Sequence, residues 1–354
     1  MKKRLSILVL SALMAMTAFV GCGSKPTETA TGTTAPAADT AKKSDGSLKK
    51  IKLQLKWLPQ SQFMGYYVAK EKGYYKEAGL DVEILPGGSD IIPEQNVYNG
   101  AADIGVTWVS SLMTYQTQGY ELQEVAQIFQ KSGLLLTSKK SAGINSPSDL
   151  KGKKVANWFG GNEYEVLALL KKYNLDKEKD LKLVQQDYTM DQLKGGTVDA
   201  ASAMTYNEFG LLLESGISKD DLNVIDMNKE GVAMLEDCLF VNSKWASQNK
   251  DALVSFLKAS IKGWAEACKD PAAAGKIVYD VDKSVSLDHQ VYMAKEVAKL
   301  VVPEGFDASK IGQIDTNAVK QTADFLKLYN KDLTKTPVVD NTTFTSDYWK
   351  EATK

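Results

Sequence analysis

Three of the six tryptophans, Trp57, Trp108 and Trp158, stand at the ends of β-type runs, and amide, hydroxyl or carboxylate side chains follow each within a few residues. Gln60 and Gln62 follow Trp57, Ser110 and Ser111 follow Trp108, and Gly160-Gly161-Asn162-Glu163 follow Trp158-Phe159. Indole faces stack on flat rings and add roughly 0.5–1.5 kcal/mol each beyond the area they bury. A tryptophan packs in a core more often than it stacks on a ligand, so no single one carries the argument; their equivalent placement does. Tyr188, a few residues past the run 181–184, offers a further face. Tyr206-Asn207-Glu208 follows the run 198–202. Two readings of Glu208 stand side by side. It is a carboxylate in the first turn of a helix, favoured there by the dipole, or it grips an amino group on a ring through a charge-assisted hydrogen bond. The remaining polar residues read equally as helix caps or solvated side chains. Together, these residue types suit recognition of a planar, nitrogen-bearing ring.

Other chemistries lack their residues. His289 is the only histidine, and besides Cys22 the cysteines are Cys238 and Cys268, so no zinc-type cluster and no histidine-based triad is in view. His289 is expected on the surface near the start of a helix over 290–300. The two later cysteines read as buried inert thiols, with a mutual disulfide left open. Arg4 is the only arginine. Bidentate clamping of sulfonate, phosphate or carboxylate is largely an arginine task, although lysine and backbone N–H groups substitute. The formal charge of −1 becomes −4 once Lys2, Lys3 and Arg4 are removed, which does not suit nucleic acid.

The elements that must position these residues repeat. The first copy is a strand over 51–57, a helix over about 62–78 ended by Gly79, a strand over 80–85 and a strand over 102–108 behind Gly100-Ala101-Ala102-Asp103. The second is a strand over 154–158, a helix to Tyr173, a strand over 181–184 and a strand over 198–202 behind Gly196-Thr197-Val198-Asp199. That is β-α-β-α-β twice, which predicts an α/β chain of two lobes, with ligands bound beyond the carboxyl ends of the strands. In the turn Pro86 to Asp90, Gly88 permits close backbone approach, and Ser89 or Asp90 is expected to cap the following helix. Runs at 122–129 and 134–137 lead from one lobe to the other, and 222–225 and 238–241 lead back. Two crossings make a hinge. Leu253, Phe256, Leu257, Ile261 and Trp264 form one helical stripe that packs on the first lobe. Further helices are expected over 286–301 and 315–329.

A chain of 354 residues with 44% hydrophobic content is long enough for both cores. Residues 1–21 read as an export signal, a basic start followed by an apolar run shorter than a membrane span. Phe19-Val20-Gly21-Cys22 resembles a lipobox, which makes Cys22 the expected lipidation site. Residues 22–48, poor in apolar side chains, read as a tether. The expected domains are therefore lobe I over 49–134 plus 239–354 and lobe II over 135–238.

Lys56-Trp57-Leu58-Pro59-Gln60, Gly65-Tyr66-Tyr67-Val68-Ala69, Lys72-Gly73-Tyr74-Tyr75 and Ile84-Leu85-Pro86-Gly87-Gly88 resemble the thiamine-pyrimidine-precursor family of solute-binding proteins. The resemblance continues through Asn157-Trp158-Phe159-Gly160-Gly161-Asn162-Glu163 and Met204-Thr205-Tyr206-Asn207-Glu208, covering nearly all of 50–245. It implies a type II periplasmic-binding-protein fold, each lobe a mixed sheet flanked by helices. It also implies a monomeric, lipid-anchored receptor outside the cytoplasm that hands a vitamin precursor, formylaminopyrimidine or hydroxymethylpyrimidine, to an ABC permease without a cofactor. Ligand-contacting positions are then expected at Trp57, Gln60, Gln62, Tyr66, Gly88, Trp108, Ser110, Trp158, Gly160, Gly161, Asn162, Tyr188, Tyr206 and Glu208. Thiamine, riboflavin and alkanesulfonate- or nitrate-type solutes are the alternatives. The fungal members of the family are enzymes that build the pyrimidine from their own histidine and pyridoxal phosphate. Their pattern has Asn and His where this chain has Gln60 and Phe63, and a cysteine-rich motif absent here, so an enzyme of that kind is not expected.

Overall fold

A computed structural model describes residues 47–159, 161, 163–329, 333 and 335–354. Its strands are β1 Lys49–Gln54, β2 Leu80–Leu85, β3 Ile104–Thr107, β4 Leu122–Gln127, β5 Leu134–Lys139, β6 Lys154–Asn157, β7 Lys182–Gln185, β8 Ala200–Met204, β9 Leu222–Asp226 and β10 Cys238–Asn242. They form two five-stranded sheets with the orders β2-β1-β3-β10-β4 and β7-β6-β8-β5-β9. In each sheet the strands of one β-α-β-α-β unit run parallel, and two further strands pair antiparallel beside them.

The duplication extends to individual bonds. Asp103 accepts a hydrogen bond from the Lys52 N–H at 2.8 Å, and Asp199 accepts one from the Lys154 N–H at 2.8 Å. In both units the aspartate ahead of the third strand satisfies the backbone of the first. That contact fixes the registers Leu53↔Ile104 and Val155↔Ala200. The same bond at the same place in both units makes the spacing of Gly-x-x-Asp from the strand a register device.

The chain leaves the first sheet through β4, enters the second through β5, and returns from β9 into β10, which lies between β3 and β4. The helix Lys250–Lys269 covers the first sheet, with Leu253, Phe256, Leu257 and Trp264 buried and Ile261 partly so. The Trp264 ring crosses the helix Met64–Glu71 at Gly65, where a Cβ would come within 2.1 Å of the indole. The later helices are Leu287–Val301 and Thr316–Tyr329.

Four local expectations are corrected. The helix after β1 is not continuous over 62–78. A turn at Ser61–Phe63 precedes Met64–Glu71, and Gly73, at φ 78°, breaks the chain before Tyr74–Glu77. The strand β1 ends at Gln54, so Trp57 stands beyond it, whereas Trp108 and Trp158 directly follow β3 and β6. Neither Ser89 nor Asp90 caps the next helix: Pro93–Tyr98 starts behind Ile92, with Pro93 in its first turn, where a missing N–H costs nothing. His289 is buried, because the first turn of the helix Leu287–Val301 is covered by Glu214 and Asn207. Cys238 and Cys268 are unpaired, and burial pushes the Cys268 thiol up to about 12.

Candidate functional site

Between the carboxyl ends of the two sheets lies a cavity of about 430 Å³. The first sheet brings Trp57, Gln60, Gln62, Gly88 and Trp108 to it, and the second brings Trp158, Tyr188, Tyr206 and Glu208. Trp57 and Tyr188 meet across the cleft with ring centroids 5.0 Å apart and planes tilted by 45°. The Trp158 indole N–H donates to the Asp187 carbonyl at 2.9 Å, which fixes that ring.

Glu208 opens the helix Glu208–Glu214 directly behind Thr205-Tyr206-Asn207, and it is buried. One carboxylate oxygen accepts from the Met204 N–H at 3.0 Å, the other from the Asn207 side-chain amide at 2.7 Å. Burial disfavours the charged form and pushes the carboxyl up to about 7, against the pull of those donors. Glu208 is a first-turn carboxylate, as one sequence reading has it, and it lines the cavity.

A polar relay supports the opposite wall. The Gln60 amide N–H donates to the Gln62 carbonyl at 2.7 Å, and the Gln62 amide donates to the Asp237 carboxylate at 3.0 and 2.9 Å. Asp237 is an acceptor on a backbone at φ 52°, a left-handed conformation that an aspartate tolerates. Burial pushes its carboxyl up to about 7. Because Gln62 is oriented by Asp237, Gln60 has an amide hydrogen committed to the relay and keeps its carbonyl as an acceptor.

Three positions stand apart from the cavity wall. Tyr66 lies in the core, edge-on to Trp264 with centroids 5.4 Å apart, because residues 64–69 of its helix are buried on every side. Ser110 and Gly161 meet at the seam between the lobes, Ser110 donating to the Gly161 carbonyl at 3.3 Å. Gly161 has φ 135°, and a Cβ there would come within 2.5 Å of the Ser111 hydroxyl, so only glycine admits the loop so close. Gly160, Asn162 and Cys22 lie outside the described residues.

Sequence reasoning missed Lys56, Glu94, Tyr115 and Tyr164, which also line the cavity. Glu94 is buried, accepts from Thr107, and has the Lys56 ammonium 4.0 Å away. The same ammonium sits 5.0 Å from the Trp108 ring centroid. In the sequence Glu94 looks like an ordinary first-turn acid beside Pro93; only the closing of the sheet edge over it shows its burial. Among the described residues no cluster of metal ligands exists, and no helix is long and apolar enough to cross a membrane.

The wall so built is aromatic and rich in acceptors, with Lys56 the one cationic side chain among the described residues that line it. A riboflavin-binding protein of Chloroflexus aurantiacus is 26% identical over 77% of this chain and 76% of its own length. A formylaminopyrimidine-binding protein of Halalkalibacterium halodurans is 23% identical over 65% of this chain and 70% of its own. A 4-amino-5-hydroxymethyl-2-methylpyrimidine phosphate synthase of Saccharomyces cerevisiae is 24% identical over 68% and 74%. In structure, the periplasmic aliphatic sulphonate binding protein of Escherichia coli superposes with a TM-score of 0.66 at 15% identity, over 84% of this chain and 93% of that one. The two-lobed architecture is thus that of the periplasmic binding proteins. The family model described as NMT1/THI5 like matches residues 60–274, well over half of the sequence, and the chain belongs to that family.

Proposed function

We propose that this protein is the solute-binding component of an ABC importer and that its cleft captures a thiamine pyrimidine precursor, formylaminopyrimidine or hydroxymethylpyrimidine. The observation that carries this reading is the pairing of facing indole and phenol rings with the buried Glu208 carboxylate. Rings stack on a heterocycle, and an acceptor-only carboxylate selects a guest that brings N–H donors. The same features disfavour sulfonate and nitrate, which need converging donors. The mature chain has no arginine, and Lys56 is already engaged by Glu94.

Capture without chemistry is part of the proposal. Phe63, at the position that the family resemblance assigns to the synthase's donor histidine, is packed in the core. Addition of pyridoxal phosphate should leave the absorbance spectrum of the cofactor unchanged. Delivery to a permease, and a lipid anchor at Cys22 that keeps the protein outside the cytoplasm, complete the proposal.

A second reading has an observation of its own. A cavity of about 430 Å³ falls within the range of roughly 300–1,000 Å³ that holds drug-sized ligands, roomier than one pyrimidine ring requires. Riboflavin or thiamine would use that space. Mass spectrometry of small molecules released from gently purified protein separates the two: a single-ring aminopyrimidine supports the first, a flavin or thiamine the second. Recovery of an alkanesulfonate or nitrate would overturn both.

A further inference from the structure

The sole histidine has no part in the cavity wall of about 430 Å³, yet both of its ring nitrogens are engaged. It sits on the helix Leu287–Val301, which belongs to lobe I: Gln290 of that helix accepts from the Ser61 hydroxyl at 2.7 Å and from the Ser61 N–H at 2.8 Å. The face carrying His289 and Tyr292 reaches lobe II instead. The Tyr292 hydroxyl donates to the Thr205 carbonyl at 2.8 Å, and its ring occupies the space where a Cβ at Gly210 would come within 2.2 Å. His289, stacked on Tyr292 with centroids 5.9 Å apart, has Nδ1 2.8 Å from a Glu214 carboxylate oxygen and Nε2 3.0 Å from the Asn207 side-chain carbonyl. Asn207 in turn donates to Glu208 at 2.7 Å. A chain of bonds therefore runs Glu214, His289, Asn207, Glu208, crossing between the lobes twice and ending at the cavity.

The Asn207 amide nitrogen bonds Glu208 and its oxygen faces His289, while Glu214 brings a carboxylate oxygen to the other ring nitrogen. Lobe II thus holds the ring from two sides. In the outer part of the cleft the charged side chains among the described residues are Asp90 and Glu214. Asp288 lies in the same helical turn, and Glu208 is reached through Asn207. The Tyr292 phenol, stacked on the ring, donates to the Thr205 carbonyl.

We propose that His289 is a positioning residue of the cleft: an imidazole on lobe I that latches lobe II through both ring nitrogens and, through Asn207, orients Glu208 toward the guest. The last clause rests on the proposed role of Glu208; the latch stands without it.

Because the chain has one histidine, imidazole nitrogen-15 resonances report His289 alone. Both nitrogens should show hydrogen-bonded shifts, and Glu214→Gln and Asn207→Ala should each move them. Small-angle scattering should find the Glu214→Gln protein more open. Resonances indifferent to both variants would overturn the latch, whatever the effect on melting temperature. With 4-amino-5-hydroxymethyl-2-methylpyrimidine as the probe, calorimetry should find about tenfold weaker binding in His289→Gln, the worth of one charged hydrogen bond. Unchanged affinity in that variant would remove the positioning role. If the wild-type protein binds neither this probe nor formylaminopyrimidine, the pyrimidine reading falls, while resonance and scattering still judge the latch.

Discussion

The two lobes share one strand order and differ in what they offer the cleft. Lobe I presents polar groups that are buried and already bonded to one another: Gln60 to Gln62, Gln62 to Asp237, Glu94 to Thr107. Lobe II presents rings that are half open to solvent, Phe159 at 48% and Tyr188 at 57% exposure, beside the buried carboxylate of Glu208. Behind lobe I stands the long helix Lys250–Lys269, with Trp264 fully buried. The wall of buried, mutually bonded groups is the more rigid one, and the exposed rings make the more pliant one.

The largest expected break in this comparison comes from the rigid side. Trp264→Ala removes the indole that spans Gly65 and should cost about 3–5 kcal/mol of stability, read by denaturant unfolding. A loss under 1 kcal/mol would mean that lobe I is not the stiffer partner. Next in size is Glu208→Gln, which keeps the shape of the side chain and removes the charge of the acceptor. Affinity for an aminopyrimidine should fall by about 1.5–3 kcal/mol, roughly tenfold to a hundredfold, in calorimetry. Tyr188→Ala, on the pliant side, should cost only about 0.5–1.5 kcal/mol of affinity, with unfolding unchanged.

The most gradual effect is that of pH. Burial raises Glu124 and Glu165 to about 8, and Glu208 and Asp237 to about 7. Between their ordinary carboxyl values and these, the folded chain holds more protons than the unfolded one, so stability is fully present at acidic pH and falls as pH rises through 7 to 8. Thermal midpoints should drop by several degrees from pH 5.5 to pH 8.5, and Glu165→Gln should flatten part of the slope. A midpoint that climbs over this range would contradict the assignment.

Much of this architecture was legible before any coordinates. The two β-α-β-α-β units, the crossings and the late helices follow from runs of apolar residues and from the repeated Gly-x-x-Asp, whose aspartates make the same bond in each sheet. Trp57, Trp108 and Trp158 were readable as wall residues because aromatic side chains beyond strand ends have little core to enter. What stayed hidden depended on distant chain segments. Tyr66 looked like a site residue until the helix Lys250–Lys269 covered it, and Glu94 looked like a surface acid until the cavity formed beside it. His289 looked solvent-facing because its partners, Asn207 and Glu214, are 82 and 75 positions away. Pairing at that separation leaves no local pattern.

The insertion of β10 between β3 and β4 has a consequence for how the molecule comes into being. The sheet of lobe II is built from one uninterrupted stretch, 134–226, and is complete when that stretch has emerged. The sheet of lobe I must wait, with a gap between two of its strands, until residues 238–242 arrive. During synthesis the later-numbered lobe is therefore the first able to mature, while its companion holds an open slot with unpaired strand edges.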